Sequence, residues 1–88
     1  MRKYMSQLVR GYLNEETYGQ SATARFGGPL FFSYNTIICV RKDNYYYLTL
    51  DKYSKTTTTQ QKALRESIPA YWLKIVSAEE LQEIARSI

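Results

Sequence analysis

The sequence has no histidine and only one cysteine, and these two absences exclude several kinds of chemistry. A catalytic Ser-His or Cys-His pair needs an imidazole, so nucleophilic catalysis of that type is excluded. A structural zinc site needs four Cys or His ligands, and the chain offers only Cys39, so we expect no metal and no cofactor. One cysteine cannot form an internal disulfide, which is typical of proteins from reducing compartments.

Long apolar runs are also missing. No window approaches the ~18 consecutive apolar residues that a membrane-spanning helix needs. Residues 1–7 lack the apolar core of a signal peptide. We therefore expect a cytoplasmic protein without a membrane partner. The length of 88 residues predicts one domain, residues 1–88, with a small core and a thin margin of stability.

The charge is modestly positive and unevenly distributed. Twelve Lys and Arg against eight Asp and Glu give a net charge of +4. Residues 1–42 carry six basic and two acidic side chains, residues 43–66 four and three, and residues 67–88 two and three. A basic front half favours an anionic partner such as nucleic acid, although a charge of this size also serves solubility alone.

The order of β-prone and helical segments predicts an α+β fold. Residues 27–29 (Gly-Gly-Pro) and 43–44 (Asp-Asn) provide turns between runs of apolar and aromatic residues. The second turn would pair Lys42 with Tyr45 and continue residue by residue into the hairpin. The segments expected to form strands are 4–13 (weakly), 20–26, 30–42, 45–51 and 71–76.

Two helices are expected in the C-terminal half. The first begins in the threonine run 56–59, with one threonine as its N-cap, and ends before Pro69. The second begins at Ser77, which can form a capping box with Glu80. Together these elements predict a mainly antiparallel sheet of four to five strands with two helices.

Nine tyrosines, within an aromatic content of 15%, are the most unusual feature of the composition. Side chains alternate between the two faces of a strand, so the predicted hairpin sorts its residues into two sets. One face would carry Ile37, Cys39, Tyr46, Leu48 and Leu50, and the other Ile38, Val40, Tyr45, Tyr47 and Thr49.

The second of these faces predicts a binding surface. The residues expected to contact a partner protein are Tyr45, Tyr47, Thr49 and Arg41. Aromatic side chains beside basic ones can also stack nucleobases, but the usual aromatic RNA-binding signatures are absent. A protein interface is favoured, because tyrosine buries its ring while its hydroxyl stays hydrated.

The threonine run suggests an alternative site for an anion or nucleic acid. A helix start offers free N–H groups and a positive dipole end, and nearby hydroxyl and ammonium groups add donors. The residues of this alternative site are Lys42, Lys55, Thr56, Thr57, Thr58, Lys62 and Arg65. The simpler interpretation is that one threonine caps the helix and the others finish the strand and turn, since a glycine-rich phosphate loop is missing.

No group of residues predicts an enzyme. Cys39 lies in an apolar run and is interpreted as a small core residue with a raised pKa, not as a nucleophile. Glu15 and Glu16 are adjacent, so in a strand they would face opposite ways and could not act as a catalytic pair.

Three segments follow one another in a recognisable pattern: Ser33-Tyr34-Asn35-Thr36-Ile37-Ile38, Tyr46-Tyr47-Leu48-Thr49 and Lys52-Tyr53-Ser54-Lys55-Thr56-Thr57. With this pattern, half of the chain resembles a family of small phage and mobile-element proteins of unknown function. The resemblance carries no catalytic residues. It implies a protein that binds a host component, including defence systems, or that sequesters a nucleotide signal.

From the residues and the resemblance together we expect a non-enzymatic inhibitor or adaptor. It would bind a host protein through the tyrosine-bearing sheet face, as a homodimer, in the cytoplasm of the bacterial host. The alternative is a protein that binds nucleic acid or a nucleotide at the basic hairpin and the threonine-rich helix start.

Overall fold

The computed structural model describes the backbone of residues 3–88 and the side chains from residue 7 onward. Within this range the chain forms three helices, six strands and one 3₁₀ turn. In chain order they are α1 (Lys3–Leu13), β1 (Tyr18–Gln20), β2 (Ala24–Gly27), β3 (Leu30–Ser33), β4 (Thr36–Lys42), β5 (Tyr45–Thr49), α2 (Lys55–Ser67), the 3₁₀ turn (Ala70–Trp72), β6 (Leu73–Val76) and α3 (Ala78–Arg86). The α+β class is confirmed, but the sheet has six strands instead of four to five, and a third helix is present.

The six strands form one sheet in the order of the sequence, so that β1 and β6 are its two edges. The first five strands are paired antiparallel, as predicted. The last pair, β5 and β6, is parallel. A parallel neighbour needs a crossover connection, which α2 provides, so the sheet is mixed.

The hairpin between β4 and β5 has the predicted turn. Asp43 and Asn44 have positive φ angles of 54° and 69°, which is the combination that a type I′ turn requires. Lys42 lies opposite Tyr45, and the register continues to Cys39 opposite Leu48. Asn and Asp adopt this conformation more readily than most residues, which is why the turn could be identified from the sequence.

At the N-terminus the predicted strand 4–13 is wrong, because the segment forms α1. Leu8, Val9 and Tyr12 are all buried. Their separations of one, three and four residues place them on one side of a helix. The apolar side chains therefore cover the sheet instead of pairing within it.

The predicted strand 30–42 is two strands. Tyr34 has a φ of 55°, and the chain reverses at residues 34–35 so that β3 pairs with β4. Positive φ is rare for tyrosine, which is why this turn escaped the sequence analysis. The expected strand 20–26 is likewise divided between β1 and β2.

A β-bulge in β4 changes which side chains share a face. Phe31 lies opposite Cys39 while Phe32 lies opposite Ile37, so Ile38 is an extra residue in its strand. A bulge of this kind interrupts the strict alternation. Ile38 consequently joins Cys39 in the main core cluster, and its predicted grouping with Val40 is wrong.

Helices cover both faces of the sheet. On one face α1 and α2 pack against each other, over a core of Leu8, Val9, Tyr12, Ala24, Phe26, Phe31, Ile38, Cys39, Tyr46, Leu48, Ala63, Leu64 and Ile68. α3 packs on β4 and β5 from the other side, where Leu81 is fully buried. The predicted N-cap of α3 is confirmed, because Ser77 Oγ accepts the N–H of Glu80 at 3.1 Å, but the Glu80 carboxylate accepts from the Ser77 hydroxyl at 3.3 Å instead of from its N–H.

Candidate functional site

The predicted tyrosine-bearing surface is largely covered. α3 packs across β4 and β5, leaving Tyr47 half-buried and Thr49 fully buried. Tyr45 remains 37% exposed, with its ring centroid 6.5 Å from that of Tyr47. Of the predicted contact residues on this face, only Tyr45 is well placed to meet a partner.

Arg41 does not join the tyrosines. It is opposite Tyr46 in the hairpin, on the face that carries α1, and its Nη2 lies 3.7 Å from Glu15 Oε1. Side chains of adjacent strand residues point to opposite faces, so Arg41 and Lys42 cannot act together. Lys42 lies on the α3 side, where its Nζ donates a hydrogen bond to Ser87 Oγ.

An exposed apolar patch lies instead at the parallel edge of the sheet. Tyr71 is 73% exposed, Trp72 44% and Ile75 49%. The two aromatic rings form an edge-to-face pair with centroids 5.0 Å apart. With Tyr45 these three residues are called the aromatic edge below. Several exposed apolar side chains at one sheet edge, unlike single exposed apolar residues, are typical of an interaction site.

The 3₁₀ turn places the aromatic edge. Pro69 lies between Ile68, the C-cap of α2, and the 3₁₀ turn. The Trp72 N–H donates to the Pro69 carbonyl at 2.9 Å, and the Leu73 N–H donates to the Ala70 carbonyl. Leu73 then packs on the core, while Tyr71 remains exposed. The expected strand 71–76 is therefore shorter, and its first two residues form part of the turn.

Tyr45 belongs to this patch through the register of the parallel pair. Tyr46 lies beside Leu73, so Tyr45 and Trp72, which precede them, lie at the same end of β5 and β6. Lys74 Nζ lies 4.9 Å from the centre of the Tyr45 ring, a cation–π distance. Tyr71, Trp72 and Ile75 are not among the site residues predicted from the sequence; the available signal was a short strand with apolar residues on both of its faces.

The threonine run mainly attaches α2 to the fold. The N-cap of α2 is Ser54 and not a threonine, since Ser54 Oγ accepts the Thr57 N–H at 3.2 Å. Thr57 is buried, and its hydroxyl lies 2.7 Å from Ser33 Oγ. The Thr58 hydroxyl donates to the Ser54 carbonyl. Thr57 is therefore too buried to belong to the predicted anion site. The Thr58 hydroxyl already donates its proton to a backbone carbonyl, so it cannot also donate to an anion.

Two buried glutamines complete this attachment. Gln60 Nε2 donates to Thr23 O and Oγ1 at 3.1 and 3.0 Å. Gln61 Nε2 donates to the carbonyls of Thr49 and Asp51, both at 2.9 Å. Neither glutamine was predicted from the sequence to have this role.

The cations of α2 remain on its exposed side. Two adjoining depressions share Thr58 and Thr59; one is lined by Lys52, Tyr53, Ser54, Lys55, Thr58 and Thr59, and the other by Thr58, Thr59, Lys62, Ala63 and Glu66. Thr56 and Arg65 are also exposed. From residue 7 onward, Arg41 with Glu15 is the one ion pair, so Lys55, Lys62 and Arg65 have no carboxylate partner.

The one cysteine is a buried core residue. Cys39 is fully buried, and burial raises the pKa of its thiol to about 12, as the sequence predicts in direction. The Tyr12 hydroxyl lies 3.7 Å from Cys39 Sγ and donates to the Pro29 carbonyl at 2.7 Å. Burial also raises the pKa of Tyr12 far above its ordinary value. Neither group is available as a nucleophile.

Two further features are absent from the described residues. Their acidic and cysteine side chains do not gather in any group of three that could hold a metal ion. None of the helices described here has the length and apolar character needed to cross a bilayer.

Comparison with known proteins gives a family but no function. No significant match is found among curated proteins or among solved structures. Residues 5–70 match the model of a family of unknown function, DUF8033. The matched region ends at the 3₁₀ turn, before β6 and α3. The match bears on family membership alone, so phage or mobile-element origin stays a prediction. Since the match covers most of the chain, the protein belongs to the DUF8033 family of unknown function.

Proposed function

We propose that this protein is a non-enzymatic binding module, acting as an adaptor or inhibitor, and that it contacts a partner protein through the aromatic edge. The observation that carries the proposal is the exposed Tyr71–Trp72 pair beside a sheet edge. Tryptophan and tyrosine are the residues that most often dominate binding energy at protein interfaces. In line with the resemblance, the partner would be a protein of a bacterial host.

The geometry lowers the entropic cost of binding. Tyr71 and Trp72 are held in a 3₁₀ turn by the hydrogen bond from Trp72 N–H to Pro69 O, and each ring packs on the other. Lys74 restrains Tyr45 from the neighbouring strand. Side chains that are already ordered lose less freedom when a partner covers them.

This proposal moves the predicted interface by one strand. Tyr45 is kept, but Tyr47 and Thr49 lie beneath α3 and Arg41 lies on the opposite face. The proposed partner surface therefore runs from Tyr45 in β5 to the outer edge of the sheet at β6, instead of across the β4–β5 face that the sequence predicted.

The proposal can be tested by site-specific photo-crosslinking. A benzophenone amino acid would replace Tyr71 and, as a matched control, Tyr18, which is 70% exposed at the opposite sheet edge. Irradiation in cells of the host, followed by mass spectrometry, should give one discrete protein adduct from position 71 and none from position 18. Equal labelling from the two positions, or no adduct from position 71, would contradict the proposal.

A second candidate function is the binding of single-stranded nucleic acid along α2. The observation that favours it is a pair of cations, Lys55 and Lys62, that have no carboxylate partner among the described residues. Lys55 lines the same depression as the exposed ring of Tyr53, and Lys62 lines the adjoining one. Cations along a groove with an aromatic platform are typical of sequence-tolerant binding to single strands.

Fluorescence anisotropy with a labelled oligonucleotide tests this candidate. The Lys55→Gln, Lys62→Gln double variant should weaken binding about tenfold or more at low salt and flatten its salt dependence by about 1.4 units of slope for the two lost phosphate contacts. Lys42→Gln, on the α3 side of the sheet, is the control and should bind like the original chain. Absent binding, or binding that is independent of salt, would remove this candidate.

A further inference from the structure

We infer that the occupant of the β6 edge is a second copy of this chain, joined by antiparallel pairing of β6 with β6 about a two-fold axis through Ile75. The inference rests on the proposed function and adds a partner at the same sheet edge: the second copy pairs with the backbone of β6, while Tyr71 and Trp72, in the 3₁₀ turn before β6, are left for the host protein. Three features of β6 point to it: its backbone groups, the positions of its side chains and the charges around it.

The backbone of Ile75 faces the open edge. The N–H and C=O of one strand residue point to one side, and those of the next residue point to the other. Leu73 N–H donates to Ala70 O within the 3₁₀ turn, so it does not bind β5. Lys74 and Val76 therefore bind β5, and the N–H and C=O of Ile75 are free to pair with Ile75 of a second copy.

The side chains select the same axis. A two-fold axis perpendicular to the sheet keeps the same face of both copies on the same side. Paired residues must then point to the same face, so one residue of β6 has to lie directly opposite its own copy. An axis through Lys74 would place two ammonium groups opposite each other, which is destabilising. An axis through Ile75 instead places two half-exposed apolar side chains together and sets Lys74 opposite Val76.

The charges near this axis are complementary. α3 begins two residues after β6 ends, and Glu79 and Glu80 lie in its first turn. Antiparallel pairing about Ile75 brings Lys74 of one copy toward this acidic turn of the other. The opposite edge, β1, has no such match: it is three residues long and contains Gly19.

Disulfide trapping tests the arrangement and its register. The two Cα atoms at position 75 would be ~5.5 Å apart, within the range that a disulfide spans. Ile75→Cys should therefore give a covalent dimer under mild oxidation. Lys74→Cys places its two Cα atoms ~7–8 Å apart on the diagonal and should give little dimer. Tyr18→Cys, at the other edge, is a second control, and the native Cys39 is silent because it is buried.

Sedimentation equilibrium supplies a readout without added cysteine. The original chain should dimerise with rising concentration, and Ile75→Lys should raise the dimer Kd about tenfold or more, with an unchanged circular-dichroism spectrum because Ile75 is half-exposed.

A chain that is monomeric throughout and untrapped at position 75 would overturn the inference. So would efficient trapping at position 74 instead. Photo-crosslinking at position 71 distinguishes failure of this inference from failure of the proposed function. An adduct with another protein, from a chain that is monomeric, would contradict the dimer alone. The absence of any adduct would contradict the proposed function.

Discussion

At the scale of single residues, α2 is attached to the sheet by polar side chains. Thr57, Gln60 and Gln61 are all at most 3% exposed, and each is hydrogen-bonded to the strands or their connections. A buried polar group that loses its partner costs about 1–3 kcal/mol. The threonine run is therefore a structural feature before it is a candidate ligand site.

Two valine substitutions in the threonine run test this conclusion. Thr57→Val keeps the shape of the side chain but leaves Ser33 Oγ without its 2.7 Å partner, so it should destabilise the fold by about 1–3 kcal/mol in urea unfolding. Thr56→Val, one residue earlier and exposed, should change stability by less than about 0.5 kcal/mol. Equal effects of the two substitutions would show that Thr57 does not attach the helix.

At the scale of elements, close packing between a helix, a short strand and its neighbour fixes the first edge of the sheet. Gly19 in β1 lies opposite Phe26 in β2. A Cβ at position 19 would come within 2.4 Å of the Phe26 ring and 3.0 Å of Leu8. Only a residue without a side chain lets α1 and β2 approach β1 this closely.

Alanine substitution of two glycines separates this packing from general glycine effects. Gly19→Ala should destabilise the protein by about 1–3 kcal/mol, because the added methyl overpacks the contact with Phe26. Gly27→Ala is the matched control: it lies in the neighbouring strand, and a Cβ there meets nothing within 4 Å. Thermal unfolding of both variants checks the difference, and a Gly19→Ala protein as stable as Gly27→Ala would refute the packing argument.

The same scale shows what the sequence could and could not reveal. The β4–β5 hairpin and α3 were predictable, because Asp43-Asn44 and the Ser77 capping box are local signals. α1 was missed, because polar residues and Gly11 interrupt the helical spacing of Leu8, Val9 and Tyr12. The turn at Tyr34 and the bulge at Ile38 depend on pairing between strands. The aromatic edge likewise depends on which strand lies outermost, a property of topology and not of local sequence.

At the scale of the whole molecule, one aromatic cluster joins the layers. Tyr12 of α1 makes edge-to-face contacts with Phe26, Phe31 and Tyr46 from three strands, at centroid distances of 5.2–5.7 Å. Beneath it lies the Cys39 thiol. The global stability of the fold is therefore tied to two buried groups that must stay protonated.

Alkaline titration should reveal this link. Burial raises the pKa of Cys39 from 9.0 to about 12 and that of Tyr12 in the same direction. The unfolded chain loses these protons first, so the contribution of the protonated thiol is full below about pH 9 and is lost as the pH rises toward about 12. Urea unfolding at a series of pH values should show the free energy of unfolding falling across this interval.

Cys39→Ala is the control for that titration. It should lower stability at neutral pH through the lost volume, while making the alkaline decline shallower. A decline identical to that of the original chain would assign the whole effect to tyrosine and other groups.

The parallel pairing of β6 with β5 also has a consequence for how the chain reaches this structure. Every other strand pair joins sequence neighbours through a short turn, but β6 can meet β5 only after residues 50–72 have folded back as α2 and the 3₁₀ turn. Closing a long loop costs entropy before its contacts repay it. We therefore expect the antiparallel strands β1 to β5 to form first, with β6 and α3 docking last. In the folded protein, the amide protons of Lys74 and Val76, which bind β5, should then exchange with solvent sooner than those of β4, through opening of this final segment alone. The sheet edge that exposes these apolar side chains is thus also expected to open more readily than the centre of the sheet.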